Sequence, residues 1–171
     1  MDLLMVTLRL IHVVLGVFWA GAMILMAWFV VPSIRDAGPD GAKVMAQLMQ
    51  RRFLDVMPLV AALTILSGAW LYWRGSAGLE GAWITSSFGM TLTLGAVAAI
   101  VAFAIGVGIM RPAVLKASAL ARAAAQAPDS PQHASQMADV QRLRGRSASA
   151  GRIVAVLLAI ATACMGVARY L

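Results

Sequence analysis

Polar and apolar positions are unevenly spread along this chain. Four stretches, 8–31, 56–73, 88–110 and 153–170, are almost wholly apolar. A helix needs about 20 apolar residues to cross a bilayer core, so each stretch predicts one membrane-spanning helix. The connections 32–55 and 110–152 hold most of the charge. Within the first of them, Val44, Met45, Leu48 and Met49 fall on one stripe of AKVMAQLMQRRF, with Lys43, Arg51 and Arg52 beside it or at its end. That spacing predicts a short amphipathic helix lying at the membrane surface. The turn cluster Gly38-Pro39-Asp40-Gly41 precedes it, with Asp40 as its expected N-cap.

The second connection opens with RPAVLKASALARAAAQ, rich in helix formers. APDSPQ then breaks the pattern, and HASQMADVQRLRGR can return as a second helix. SASAG is expected to end that helix before the fourth span. This reads as a cytoplasmic helical hairpin, with partial disorder the compositional alternative. The whole predicts an all-α fold: one transmembrane domain over 1–171, a four-helix bundle carrying that hairpin and the interfacial helix.

Composition agrees. Of 171 residues, 61% are hydrophobic and 12% charged, and the mean hydropathy is +0.84. A soluble domain has about twice that share of charge, roughly 25%. The first apolar run is too long for a signal-peptide core and is read as a retained helix.

The net charge of +7 would suggest a nucleic-acid partner in a soluble protein, but its distribution points elsewhere. Eleven of the 14 basic residues lie in the two long connections and only Arg9, Arg74 and Arg169 lie outside them. The positive-inside rule then puts both connections in the cytoplasm and both termini outside, in an inner (plasma) membrane. Trp70, Tyr72, Trp73 and Trp83 fall together as part of an outer aromatic belt. The partners expected are the lipid bilayer and other membrane subunits or a second copy of the chain, with no nucleic acid.

Chemistry is sparse. Cys164 is the sole cysteine, and His12 and His133 are the two histidines, so an intrachain disulfide and a paired-cysteine metal site are excluded. No Ser/His/Asp set, phosphate loop or carboxylate pair stands where catalysis would use it. In the first span Arg9, His12, Gly16, Trp19 and Met23 recur at steps of three and four and share one helical face. Gly16 with Ala20, Gly95 with Ala99 and Ala102 with Gly106 have the small-xxx-small spacing that lets helices approach closely. Thr64, Ser67, Gly68 and Ala69 make a small polar patch on the second span. Asp55, four residues after Arg51, is expected to pair with it.

An ionisable residue inside a membrane is a functional candidate by default, and His12 has two readings. One is a hydrogen bond to a neighbouring helix, with Arg9 reaching the headgroups. The other is a ligand to copper or haem. Met90, Cys164 and Met165 lie at similar depth. His12, Cys164 and Met165 suit copper(I), whereas His12 with Met90 or Met165 suits a haem iron. A bis-histidine haem would need a second chain, because His133 lies at the opposite membrane face.

With Arg9, His12, Gly16, Trp19 and Gly21, the first span resembles that of CopD-like copper-resistance proteins and related small bacterial four-span proteins. RRF…MP, Arg51 to Pro58, and SGAWLYWR, Ser67 to Arg74, extend the likeness through the second span. Four-span haem proteins of the protoporphyrinogen-oxidase type are more distantly similar. The resemblance implies four helices and copper or haem handling at the outer face, although this chain lacks a second intramembrane histidine. The residues themselves favour a non-catalytic accessory or scaffold subunit, and the resemblance offers the metal- or haem-binding alternative.

Overall fold

The computed structural model describes residues 2–129 and 131–171, apart from the side chain of Pro39. Among these residues four helices are long and apolar enough to cross a membrane: Leu3–Asp36, Phe53–Gly75, Ser87–Gln126 and His133–Tyr170. Three of them run well beyond their apolar stretches. The bundle and its basic extension are therefore built from the same rods.

The first rod is α1 (Leu3–Leu25), a π-turn over Met26–Val30 and α2 (Val31–Asp36). The third is α6 (Ser87–Ile105), a π-turn over Gly106–Met110 and α7 (Arg111–Gln126). Both π-turns end two residues before a proline. Pro32 and Pro112 lack an N–H, and their rings crowd the carbonyl four residues back. The wider turn relieves that crowding: Val31 N–H donates to Met26 and Arg111 N–H to Gly106, each five residues back. Each rod thus accommodates its proline without ending.

Between α2 and α4 (Phe53–Gly75) lies α3 (Gly38–Gln50). It is the predicted amphipathic helix, with an earlier start. Its N-cap is Ala37, without a side-chain cap. Asp40 sits inside the first turn, where it pairs with Lys43 at 2.8 Å instead of capping. Gly38, at φ +56°, makes the turn, and a Cβ on Gly41 would run into the Ile34 carbonyl, so glycine lets α3 fold back on α2. A second reversal at Arg52, φ 56°, starts α4.

Arg52 also decides the pairing of Asp55. A left-handed residue between Arg51 and Asp55 breaks the helix on which an i,i+4 pair depends. Asp55 instead meets Arg111, whose guanidinium reaches its carboxylate at 2.8 Å. The same guanidinium donates through Nε to the Leu54 carbonyl at 3.2 Å. Leu54 lies four residues before Pro58, which has no N–H to give it. Arg111 therefore fills the gap that Pro58 leaves in α4.

At the other end, Gly81–Ile84 forms one short turn, α5, and Ser86 caps α6 through Gly89 N–H at 3.1 Å. Tyr72, Trp83 and Phe88 stack edge to face, and Trp70 lies against Trp73. The aromatic residues of this end thus pack as a trio and a separate, more exposed pair. The Tyr72 and Thr93 hydroxyls, 2.6 Å apart, join α4 to α6 there.

The fourth rod is α8 (His133–Val167), closed by a 3₁₀ turn at Ala168–Tyr170. SASAG does not end it. Ala150 and Gly151 are buried, and a Cβ on Gly151 would lie 3.6 Å from the Met110 sulfur. Small residues serve that contact with the third rod, and the two alanines and the packing together offset the poor helix propensity of Gly151. Ala113, Ala117 and Ala124 of α7 are buried, as is Val140 of α8. The hairpin is two ordered helices, and His133 Nδ1 lies 3.2 Å from the Ala124 carbonyl near its tip. Ser130, in the predicted break over 127–132, lies outside the described residues.

Within the bundle α1 packs on α4 and α8, and α6 packs on α8 and more thinly on α4. The core joins Trp19, Ala20 and Met23 of α1 to Val60 and Ala61 of α4, Ala98, Ala99 and Ala102 of α6, and Val154, Leu158 and Ala161 of α8.

Candidate functional site: the His12 contact between α1 and α4

The face predicted for α1 is the one turned inward. Arg9 is exposed, His12 and Gly16 are half-buried, and Trp19 and Met23 are buried. His12 Nδ1 lies 2.8 Å from the Thr64 carbonyl of α4. A carbonyl only accepts, so Nδ1 carries a hydrogen, and of the two neutral tautomers this contact selects the one whose lone pair is on Nε2. The imidazole can come this close because residue 68 is glycine. A Cβ there would lie 2.6 Å from His12 Cε1 and 2.9 Å from Nδ1. One turn along α1, the place of a Gly16 Cβ is 3.4 Å from the Thr64 methyl.

Thr64 is the centre of a polar knot. Its carbonyl also accepts from Ser67 Oγ at 3.0 Å, and its hydroxyl donates to Val60 at 2.9 Å. Thr64 and Ser67 are both buried. Hydrocarbon offers no partner to these groups, so His12, Thr64 and Ser67 satisfy one another and their own backbone. The polar patch on the second span is the seat of the histidine on the first.

The other candidate ligands lie elsewhere. Cys164 is half-buried on α8 and faces α6, with the place of a Gly95 Cβ 3.0 Å from its own Cβ. Met90 is 55% exposed and Met165 37% exposed, so both side chains turn outward from the bundle. His12 faces α4 and Cys164 faces α6, so the structure gives no contact that joins the four predicted ligands. Among the described residues no three His, Cys, Asp or Glu side chains gather as a metal site would need.

The packing residues divide as well. Gly95 meets Ala161 and Cys164, while Ala20, Ala99 and Ala102 are buried in the core. Gly106 has nothing within 4 Å of where its Cβ would be. It lines a narrow apolar cleft between α4 and the third rod. That cleft had no signal in the sequence, because it arises where a π-turn and the start of α4 face each other. No protein-family model, curated protein or solved structure matches the chain.

Proposed function

We propose that the protein is a non-catalytic packing subunit of a membrane assembly, joining other membrane subunits or further copies of itself. The observation that carries this reading is the outward face of α8. Within the apolar span Ala159, Ala163 and Gly166 recur at steps of four and three, and all are exposed. Nothing lies within 4 Å of a Cβ on Gly166. The inward face of the same helix, with Ala150, Gly151, Val154, Ala155 and Ala161, is already filled by the bundle. Small residues on a helix in lipid favour close approach of a second helix, and α8 has such a face to spare. His12 supports the reading too, since its Nδ1 contact ties two helices together.

Ala163→Leu and Gly166→Leu test it. Each adds bulk outside the bundle, so the fold should tolerate it within about 0.5 kcal/mol. Cross-linking in the membrane should lose the adducts that the native chain forms. Unchanged cross-linking in both variants would count against α8 as the contact face. The basic connections support a cytoplasmic hairpin and external termini in an inner membrane.

The CopD-like or haem-binding reading is the second, and one observation favours it. Nδ1–H on a backbone carbonyl is the outer hydrogen bond that orients a ligating imidazole, and it leaves Nε2 with a lone pair. Because Met90 and Met165 turn outward, the further ligands would come from a second copy. A Soret band or bound copper that His12→Ala removes is the result this reading requires.

A further inference from the structure

The cleft at Gly106 has a polar rim at one end only. Trp19, Met23, Ala102 and Val154 form its buried floor. Pro58 of α4 and Phe103 and Val107 of the third rod stand at its half-buried or exposed edge. With its open mouth it measures about 400 Å³. Its apolar lining suits a methylene chain. Arg111 also lines it, where the apolar third span gives way to the basic connection. Arg51 and Arg52, both exposed, directly precede Phe53 and Leu54 of its lining. Asp55 is the one carboxylate in the segment 51–58, and Arg111 holds it. Arg111 spends two of its five N–H groups on Asp55 and Leu54. The rim therefore keeps an excess of positive charge over an apolar slot.

We propose that this cleft binds an anionic phospholipid, one acyl chain lying between α4 and the third rod and the phosphate held by Arg51, Arg52 and Arg111. The occupant follows from the two halves of the site. An apolar slot just below a cluster of arginines matches a lipid at the depth where its chains meet its headgroup, and basic pockets between spans recognise anionic headgroups. Gly106 lines the slot, and a Cβ there would meet nothing within 4 Å.

The test is native mass spectrometry of the full chain from detergent supplemented with phosphatidylglycerol or phosphatidylcholine. The native protein should retain one phosphatidylglycerol and release phosphatidylcholine. Arg51→Gln and Arg52→Gln should each lower that retention about fivefold. Gly106→Leu should abolish it while the thermal midpoint holds, and Val107→Trp serves as the second slot-filling variant if Gly106→Leu does not fold. Equal retention of the two lipids, or full retention in a folded slot-filling variant, overturns the proposal.

Discussion

Valine in place of Gly68 should separate α1 from α4 and cost more stability than loss of the histidine it displaces. Its Cβ would fall 2.6 Å from His12 Cε1, so the ring must leave the Thr64 carbonyl or the two helices must part. Overpacking costs about 1–3 kcal/mol. The lost interhelical hydrogen bond adds about 0.6–1.7 kcal/mol by membrane-protein cycles. The thermal midpoint in detergent should fall by roughly 5–15 °C for a chain of this size. His12→Ala alone should cost little more than the hydrogen bond and the packing of the ring. In the double variant the valine occupies the space the ring has left, so His12→Ala/Gly68→Val should be more stable than Gly68→Val. A cycle that adds without coupling would show that the two residues do not meet.

Leucine at Gly95 should have a comparable effect on the opposite helix pair. A Cβ at 95 would lie 3.0 Å from Cys164 Cβ and 3.3 Å from the Ala161 carbonyl. Alanine needs its neighbours to give by a few tenths of an ångström. Leucine carries three further carbons into a backbone that cannot turn aside. It should cost about 2–3 kcal/mol, toward the upper end of the overpacking range. Cys164 supplies its own readout, being the chain's sole thiol and half-buried at this seam. Maleimide labelling should be slow in the native protein and several-fold faster in Gly95→Leu. Labelling at the native rate would place Cys164 away from α6.

Both predictions depend on glycines that the sequence shows only in part. Gly95 stood out by its spacing to Ala99. Gly68 belonged to a visible polar patch, and His12 to a visible helical face. Nothing linear joined the two, because the link is a distance between residues 52 positions apart in Thr64 and His12. The four spans were legible because continuous apolar runs report burial in lipid directly. The hairpin was legible in its helix formers, but its junction with the fourth span was not. SASAG reads as a stop on propensity, and it stays helical because its small residues pack against the third rod. Asp55 misled for a related reason. An i,i+4 pairing assumes an unbroken helix, and the left-handed Arg52 lies between the two residues.

The π-turns have only their prolines, Pro32 and Pro112, as a signal in the sequence. VVP looks like a span ending, and only the backbone shows that the first rod continues through it, whereas after MRP the helix formers of 111–126 already suggest that the third span is prolonged. The cleft inherits this obscurity, since Gly106, Val107 and Met110 reach it from inside a π-turn. Its arginines read in the sequence as topology signals, and Arg111 also completes the hydrogen bonding of α4.

The packing role is tested most directly by the native mass of the protein released from its own membrane. The account predicts an assembly, either a multiple of the 18.0 kDa chain or this chain with other subunits in fixed ratio, without the added mass of haem or copper. A lone chain would contradict it, as would a species whose haem or copper mass disappears in His12→Ala.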